Sequence, residues 1–292
     1  MTKGETRRPV GLGVPPRRQL VGRLFALACL LASLLPVLLA GALLGAVLHA
    51  GARPEGPRGL VEHLVASGAG GLLGSVAGSL WLVSLSIFIA VPLGVGAALH
   101  LEGPRRPGRS LLALNMANLA AVPSVIYGLV GLELFVRALH LGHSMVAAAL
   151  TLALLVVPIV AVAARAALRA VPDDLREAGY ALGATPWQVT RQVVLPAALP
   201  GILSGAVLAI ARAFGEAAPL LLVAGLMVPH APASLGDPQH VLPLHVFELL
   251  ARPHEAAQAE AVAGVVVLLG TLMVLSAWAT HLRSRYERRR DG

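Results

Sequence analysis

Two opposite charges interrupt an apolar stretch in the last third of the chain. Arg212 and Glu216 are four residues apart, so on a helix they share one face and can form an ion pair. A charge within a membrane span is costly and normally faces protein or a water path. A guanidinium also offers a planar fork of donors that suits a tetrahedral oxyanion. We expect Arg212 to line an anion pathway and Glu216 to position or gate it; the alternative is a purely structural ion pair.

A second apolar stretch carries small polar side chains. Asn115 and Asn118 lie one helical turn apart, where they can hydrogen-bond to neighbouring helices or line the same path, and we favour the first role. Ser124 follows Pro123, which lacks a backbone donor, so we expect the serine hydroxyl to bond to a carbonyl freed by the kink. Asn118 and Ser124 join Arg212 and Glu216 as candidate pathway residues.

Other reactive groupings are incomplete. His140 and His143 form an H-x-x-H pair without a supporting carboxylate, which favours loop histidines over a metal site. The single cysteine, Cys29, cannot form an internal disulfide. The sequence has no G-x-x-x-x-G-K-[ST] motif, so energy from ATP would have to come from a partner. An intramembrane enzyme stays open as an alternative, although it would need more reactive side chains at membrane depth.

The composition indicates that a lipid bilayer surrounds this chain. Its 292 residues are 57% hydrophobic and 13% charged, whereas soluble domains have about 25% charged residues. Stretches long enough to cross a membrane cover residues 21–48, 74–99, 111–136, 145–164, 201–227 and 261–280. We therefore predict an all-α polytopic membrane protein with six transmembrane helices. A cleaved signal peptide is the alternative for the first stretch.

The basic residues predict the orientation. Most of the 23 lysines and arginines fall in the N-terminal tail, in the loops after the second and fourth stretches, and in the C-terminal tail. Cytoplasmic loops are enriched in positive charge, so we place both termini in the cytoplasm. This also accounts for the net charge of +8 without nucleic acid. The chain divides into a cytoplasmic tail (1–20), a transmembrane domain (21–280) and a basic cytoplasmic tail (281–292).

The loop at residues 171–196, between the fourth and fifth stretches, has the signals of two short helices joined by a turn. Pro172–Asp174 suits a helix N-terminus, and Gly183 suits a C-terminal stop. Thr185–Gln188 reads as a capping box with proline at the first helical position, which leaves Trp187 exposed near the turn. On these residues alone, an amphipathic segment at the membrane surface is also possible.

This loop is similar to the EAA loop of bacterial ABC importer permeases, whose pattern is E-A-A, three residues, G, nine residues, I-x-L-P. The matching positions are Glu177, Ala178, Gly179, Gly183, Val193, Leu195 and Pro196. Two positions depart from the pattern, since Gly179 replaces the second alanine and Val193 replaces isoleucine. In that family the loop inserts into a cleft of a separate ATP-hydrolysing subunit. The resemblance implies that these residues, together with Trp187, couple the chain to an ATPase.

The resemblance extends over about residues 70–285. Residues 118–132, 211–221 and 242–247 are similar to segments of the A-type permease subunit of phosphate-specific transport (PstA-like). Ala217 departs from that pattern, which usually has threonine there. The resemblance implies a type I (MetI-like) ABC importer permease fold in the inner (plasma) membrane, with 21–280 as the permease domain.

The same resemblance implies the partners and the cargo. Two cytoplasmic ATPase subunits would use ATP and Mg, and a sister permease would complete a heterodimeric pore. An extracytoplasmic phosphate-binding protein would deliver the substrate. This chain would bind no cofactor or metal and would catalyse no reaction itself. The implied cargo is inorganic phosphate, with molybdate, tungstate or sulfate as the alternatives.

Overall fold

The computed structural model describes residues 16–51, 72–103, 109–223 and 241–288. All regular elements within these ranges are helical, in agreement with the predicted all-α class. The helices are α1 (Pro16–Gly51), α2 (Leu72–Glu102), α3 (Arg109–Ala120), α4 (Ser124–Gly131), α5 (Met145–Arg169), α6 (Asp173–Ala181), α7 (Pro186–Val189), α8 (Leu195–Phe214), α9 (Ala218–Val223), α10 (Leu242–Ala251) and α11 (Glu255–Arg288). Two π-helical segments, Leu132–Ala138 and Thr190–Val194, extend α4 and connect α7 to α8.

Four helical segments among the described residues are long and apolar enough to cross a membrane. They are Leu72–Glu102, Met145–Arg169, Pro186–Phe214 and Glu260–Trp278. The pair α3 and α4 passes the same test when taken as one bent span, which brings the number to as many as five. These segments confirm a multi-pass membrane architecture. Which side of the membrane holds the termini stays a prediction.

Helix α1 belongs to a unit of its own, Met1–Arg53, whereas the other helices belong to the unit Pro54–Gly292. The first predicted stretch, 21–48, lies within α1, in which Leu24–Leu35 is an apolar segment shorter than a full span. A methyl group added at Gly41 or Gly45 would meet nothing within 4 Å. These two glycines therefore make no close helix contact among the described residues.

The third predicted stretch, 111–136, is not one continuous span. Helices α3 and α4 meet at an angle of 100°, and the residues between them, 121–123, are not helical. Pro123 has no N–H to donate to the carbonyl of Leu119, and a proline also disfavours helical geometry at the residue before it. A kink at Pro123 was predicted, but an angle this large was not. The angle depends on what each half of the broken helix packs against.

Small residues bring α2, α5 and α8 into close contact. A Cβ atom built at Gly201 of α8 would lie 2.7 Å from the Cβ of Ala167 in α5, and one at Gly205 would collide with Ala163. In α2, a Cβ atom at Gly94 would lie 2.7 Å from Val160 of α5. The spacing of Gly201 and Gly205, four residues apart on one face of α8, therefore serves close backbone approach.

Buried polar groups attach α10 to the N-terminal half of α2. The backbone N–H of Leu242, at the start of α10, donates to the Ser79 hydroxyl at 2.8 Å. One turn earlier in α2, the hydroxyl of Ser75 and Nδ1 of His245 lie 2.5 Å apart. Val241, which precedes α10, makes no side-chain cap. Ser79 therefore satisfies a helix-terminal donor that would otherwise be buried without a partner.

Candidate functional site

The loop 171–196, called the elbow below, has the predicted local structure in its first half. Helix α6 ends before Gly183, which has a φ of +80° that strains any other residue. The Thr185 hydroxyl accepts from the backbone N–H of Gln188 at 3.4 Å. In return, the side-chain oxygen Oε1 of Gln188 accepts from the backbone N–H of Thr185 at 2.8 Å. This reciprocal pair is the predicted capping box. The Trp187 side chain is 64% exposed, also as predicted.

The second half of the elbow differs from the prediction of a separate short helix. Helix α7 continues through the π-helical segment Thr190–Val194 directly into α8. Val193 and Leu195 are half-buried, and Pro196 lies at the start of α8. Pro196 cannot donate an N–H to the carbonyl of Gln192, and the π-helical segment directly before α8 accommodates this proline without ending the helical run. The second half of the elbow and the fifth span therefore form one continuous helical rod.

The elbow is attached to the end of α5. A terminal nitrogen of Arg176 donates to the carbonyl of Leu168 at 2.7 Å, and Nε of Arg176 lies 3.6 Å from the Asp173 carboxylate. Gly179 is buried, and a Cβ atom there would approach Val189 to 3.0 Å. The substitution of glycine for the second alanine of the EAA pattern thus accompanies a tight contact between α6 and α7.

The elbow exposes several large apolar side chains among its polar ones. Glu177 and Ala178 are both exposed on α6. The large exposed side chains are Leu175 (41%), Tyr180 (49%), Leu182 (88%) and Trp187 (64%). We call these four side chains the elbow patch. Exposed apolar side chains of this size, on a polar loop next to a span, are typical of a surface that another protein covers.

An ion cluster that the sequence analysis missed ties α2 to α5 near the elbow. The Glu102 carboxylate accepts from Nε of Arg165 at 2.7 Å and from Nε of Arg169 at 2.8 Å. Glu102 is 16% exposed and Arg165 is 23% exposed, whereas Arg169 is 59% exposed. The partners are more than sixty positions apart in the chain, so no local spacing signals the contact.

The predicted ion pair between Arg212 and Glu216 is present. Nε of Arg212 lies 3.3 Å from the Glu216 carboxylate. Arg212 lies in the last turn of α8, but the expectation that Glu216 lies inside the fifth span is wrong, because α8 ends at Phe214 and Glu216 follows the cap residue Gly215. Pro219 contributes to this ending, since it cannot donate to the carbonyl of Gly215. The predicted end of this span, beyond residue 223, lies outside the described residues.

Two of the three segments that carry the resemblance to the PstA-like permeases, 118–132 and 211–221, pack against each other. A Cβ atom at Gly128 of α4 would lie 2.7 Å from Cα of Pro219 in α9. The Tyr127 ring is buried, and its hydroxyl donates to the carbonyl of Leu119 at 2.7 Å. Ala213 and Phe214, which follow Arg212, lie in the same buried apolar cluster as Tyr127. We call this meeting of the α3–α4 bend with the α8–α9 break the joint.

The other two candidate pathway residues are close to the joint in sequence but make no polar contact there. Asn118, like Asn115, has an exposed side chain, so neither connects helices within the described part of this chain. Ser124 is half-buried, and no hydrogen bond of its hydroxyl is found among the described residues. The carbonyl that Pro123 frees is bonded by Tyr127 instead. The sequence analysis missed this role of Tyr127, although a hydroxyl one turn after the proline is a usable signal.

One of the two loop histidines makes a structural contact. His143 donates from Nδ1 to the carbonyl of Val223 at 2.7 Å, which ties the loop before α5 to the end of α9. In the ranges that the structure describes, no group of three or more His, Cys, Asp or Glu side chains is arranged to hold a metal ion. His143 therefore has a structural contact that fits its interpretation as a loop histidine.

Several membrane-crossing helices, a capped elbow and two broken helices that meet at a joint define a polytopic membrane protein of the transport class. Residues 90–288 match the model of a family described as "Binding-protein-dependent transport system inner membrane component". The chain belongs to this family, and it is accordingly a permease subunit of an ABC importer.

Relatives in several bacteria support this assignment. The chain is 34% identical over 224 residues to the phosphate transport system permease protein PstA 1 of Mycobacterium tuberculosis (strain CDC 1551 / Oshkosh), covering 76% of this chain and 73% of that one. It is 37% identical over 208 residues to the PstA permease of Haemophilus influenzae, covering 70% and 72%. The probable ABC transporter permease YqgI of Bacillus subtilis is 33% identical over 181 residues, covering 61% and 62%.

Solved structures share the fold. A bacterial alginate ABC transporter, in complex with an alginate pentasaccharide-bound periplasmic protein, matches with a TM-score of 0.68 and 16% identity, covering 93% of this chain and 98% of that one. An inward-facing MetNI methionine ABC transporter matches with a TM-score of 0.61 and 21% identity, covering 74% and 95%. At these identities the likeness establishes the ABC permease fold and leaves the cargo to other arguments.

Proposed function

We propose that this chain is the A-type permease subunit of an importer for inorganic phosphate in the inner membrane. It would pair with a sister permease, receive phosphate from an extracytoplasmic binding protein, and take its energy from two cytoplasmic ATPase subunits. The identity of 34% and 37% with phosphate transport permeases, over most of the chain, supports this cargo. The family membership supports the kinds of partner.

The proposal depends on the exposure and the hydrogen bonding of the Arg212 side chain at the joint. Its guanidinium is 45% exposed, and its only ion-pair contact within the described residues is the one from Nε to Glu216. Its terminal nitrogens, in the same part of the chain, form no hydrogen bond. They can therefore bind two oxygens of a phosphate, which is the geometry that favours arginine over lysine. Glu216 holds the fork in place from the other side.

The helical rod gives a mechanical route from the ATPase to this arginine. Residues 186–212 run without interruption from the elbow to Arg212, a length of about 40 Å at 1.5 Å per residue. In this proposal the elbow patch docks into the ATPase subunit. Closure of the ATPases around ATP and Mg then moves the elbow, and the rod carries the movement to the joint. ATP binding thereby shifts the population between inward-open and outward-open conformers.

The first test of the cargo is phosphate uptake by cells that lack the chromosomal copy of this gene. We expect high-affinity uptake to be lost and to return with the wild-type gene. Arg212→Ala should abolish the rescue, and Arg212→Lys should leave about a tenth of the rate, because a lysine keeps the charge but loses the two-pronged geometry. The matched control is Arg137→Lys, in an exposed pair with Glu133 at the same spacing, which should transport normally.

The outcomes separate the parts of the proposal. Wild-type transport by Arg212→Ala, in a normally assembled complex, would remove Arg212 from the pathway. Intact phosphate uptake in the deletion strain, combined with lost uptake of molybdate, tungstate or sulfate, would reassign the cargo to that anion.

The docking of the elbow is tested separately by co-purification. Leu182→Asp places a charge on the most exposed residue of the elbow patch, and we expect it to release the ATPase from the detergent-solubilised complex. Leu250→Asp, at an exposed leucine of α10, is the matched control and should keep the ATPase bound. Equal retention of the ATPase by the two variants would contradict the docking role of the elbow.

A further inference from the structure

We propose that Tyr127 is a positioning residue for transport, whose hydroxyl holds the α3–α4 bend at the angle that places Arg212 correctly. This inference rests on the proposed function, in which Arg212 contacts the anion. Packing of the Tyr127 ring alone would not give the residue this role, which depends on its hydroxyl group.

The first step is the hydrogen bond across the bend. A continuous helix would bond the carbonyl of Leu119 to the N–H of residue 123, which is a proline and has none. The Tyr127 hydroxyl donates to this carbonyl at 2.7 Å, and the N–H of Val122 donates to it at 3.1 Å. The Tyr127 side chain belongs to α4 and the carbonyl to α3, so the bond joins the two halves of the broken helix.

The second step is the burial of this bond. Tyr127 is 6% exposed and lies in the same apolar cluster as Leu152 and Phe214. A phenol in such surroundings loses most of its contact with water, so an unmade bond would leave a polar group without compensation. The hydroxyl is therefore committed to one acceptor, and the acceptor lies at the point where the helix turns by 100°.

The third step connects the bend to Arg212. Gly128, the residue after Tyr127, is in van der Waals contact with the backbone of α9, since a Cβ atom there would lie 2.7 Å from Cα of Pro219 and 3.0 Å from its carbonyl oxygen. Pro219 is the second residue of α9, and the break between α8 and α9 consists of residues 215–217. A change in the bend therefore moves α9 and the break, and with them Arg212, whose neighbour Ala213 lies in the same buried apolar cluster as Tyr127.

The geometric part of the inference is tested without measuring transport. In a Cys29→Ser background, spin labels at Ala117 and Leu129, both exposed, report the distance across the bend in the full complex. We expect one narrow distribution in the parent and a broadened or shifted one in Tyr127→Phe, which keeps the ring and removes the hydroxyl. Thr271→Val removes a hydroxyl bonded within its own helix and should leave the distribution unchanged. An unchanged distribution in Tyr127→Phe would overturn the inference.

The functional part is tested by a double-mutant cycle with Arg212. The loss of one buried hydrogen bond should slow phosphate transport per assembled complex by about twofold to tenfold in Tyr127→Phe, without lowering its ATPase rate. The Tyr127→Phe substitution should have a much smaller effect in an Arg212→Lys background, because the arginine geometry is then already lost. An equal loss in both backgrounds would mean that Tyr127 acts independently of Arg212, and parallel losses of transport and ATPase activity would indicate a merely structural role.

The cycle also separates this inference from the function on which it rests. The single Arg212→Lys variant, in which Tyr127 is intact, tests the pathway role of the arginine. Normal phosphate uptake by that variant would refute the proposed function. A large loss in that variant, together with parental behaviour of Tyr127→Phe in both experiments, would refute only the role assigned to Tyr127.

Discussion

Replacing Gly128 by alanine should weaken the joint, whereas the same replacement at Gly96 should stabilise the protein. Both glycines lie in helices, and alanine is favoured over glycine in a helix by about 1 kcal/mol. At Gly96 of α2 the added methyl meets nothing within 4 Å, so this gain is unopposed. At Gly128 the methyl carbon would lie 2.7 Å from Cα of Pro219, which is closer than a Cβ atom approaches a nonbonded atom in real structures. The two variants therefore add the same methyl group, and only the atoms that this group meets differ.

The contact at Gly128 is with backbone, which cannot turn aside as a flexible side chain can. Inserting a methyl group into a packed interior typically costs about 1–3 kcal/mol. After subtraction of the helix gain of about 1 kcal/mol, Gly128→Ala should range from neutral to about 2 kcal/mol destabilising. Gly96→Ala should be stabilising by up to about 1 kcal/mol. Since α4 and α9 must separate to make room, transport should fall in Gly128→Ala even where the stability loss is small.

Thermal unfolding of the purified complex gives the order of stability, and phosphate uptake per assembled complex gives the effect on function. We expect the Tm of Gly96→Ala to lie at or above that of the parent and the Tm of Gly128→Ala to lie below that of Gly96→Ala. Equal Tm values for the two variants, with full transport by Gly128→Ala, would refute the tight packing of the joint.

Four further substitutions test the elbow, the ion cluster and the break. Gly183→Ala forces a methyl group into a φ of +80°, so it should destabilise the elbow by about 1–2 kcal/mol and reduce ATPase co-purification; full retention would contradict the strained turn. Arg165→Gln should lower the Tm more than Arg169→Gln, because Arg165 is the less exposed partner of Glu102; the reverse order would be inconsistent with this cluster. Ala217→Thr should raise the Tm, since residue 217 precedes α9 and its carbonyl accepts the first helical bond, where a hydroxyl cap contributes about 1 kcal/mol; an unchanged Tm would argue against a cap at this position.

The first half of the elbow was predictable because its signals are local. Thr185 and Gln188 are three residues apart and satisfy each other's backbone groups, so their geometry depends on little else. Gly183 is likewise determined by its own conformation. The membrane-crossing segments were predictable for a similar reason, since length and apolar composition are properties of the chain itself.

The joint was only partly predictable. Pro123 indicated a kink, and the spacing of Arg212 and Glu216 indicated an ion pair, which the structure contains. The sequence did not reveal that α8 ends at Phe214, that the bend reaches 100°, or that Tyr127 rather than Ser124 serves the freed carbonyl. The bend angle depends on packing between segments that are far apart in the chain, and this angle in turn decides which donor reaches the freed carbonyl.

By itself, the sequence showed that a lipid bilayer surrounds this protein and that its fold is helical. It also showed the capped elbow and the paired charges. Each of these follows from composition or from contacts within about four residues. Only the tertiary structure decided which carbonyl Tyr127 bonds, where α8 ends relative to Arg212, and that Glu102 joins two arginines of α5. The physical reason is that a broken helix has many bend angles of similar local energy. Contacts such as the one between Gly128 and Pro219, ninety-one positions apart in the chain, select one of them.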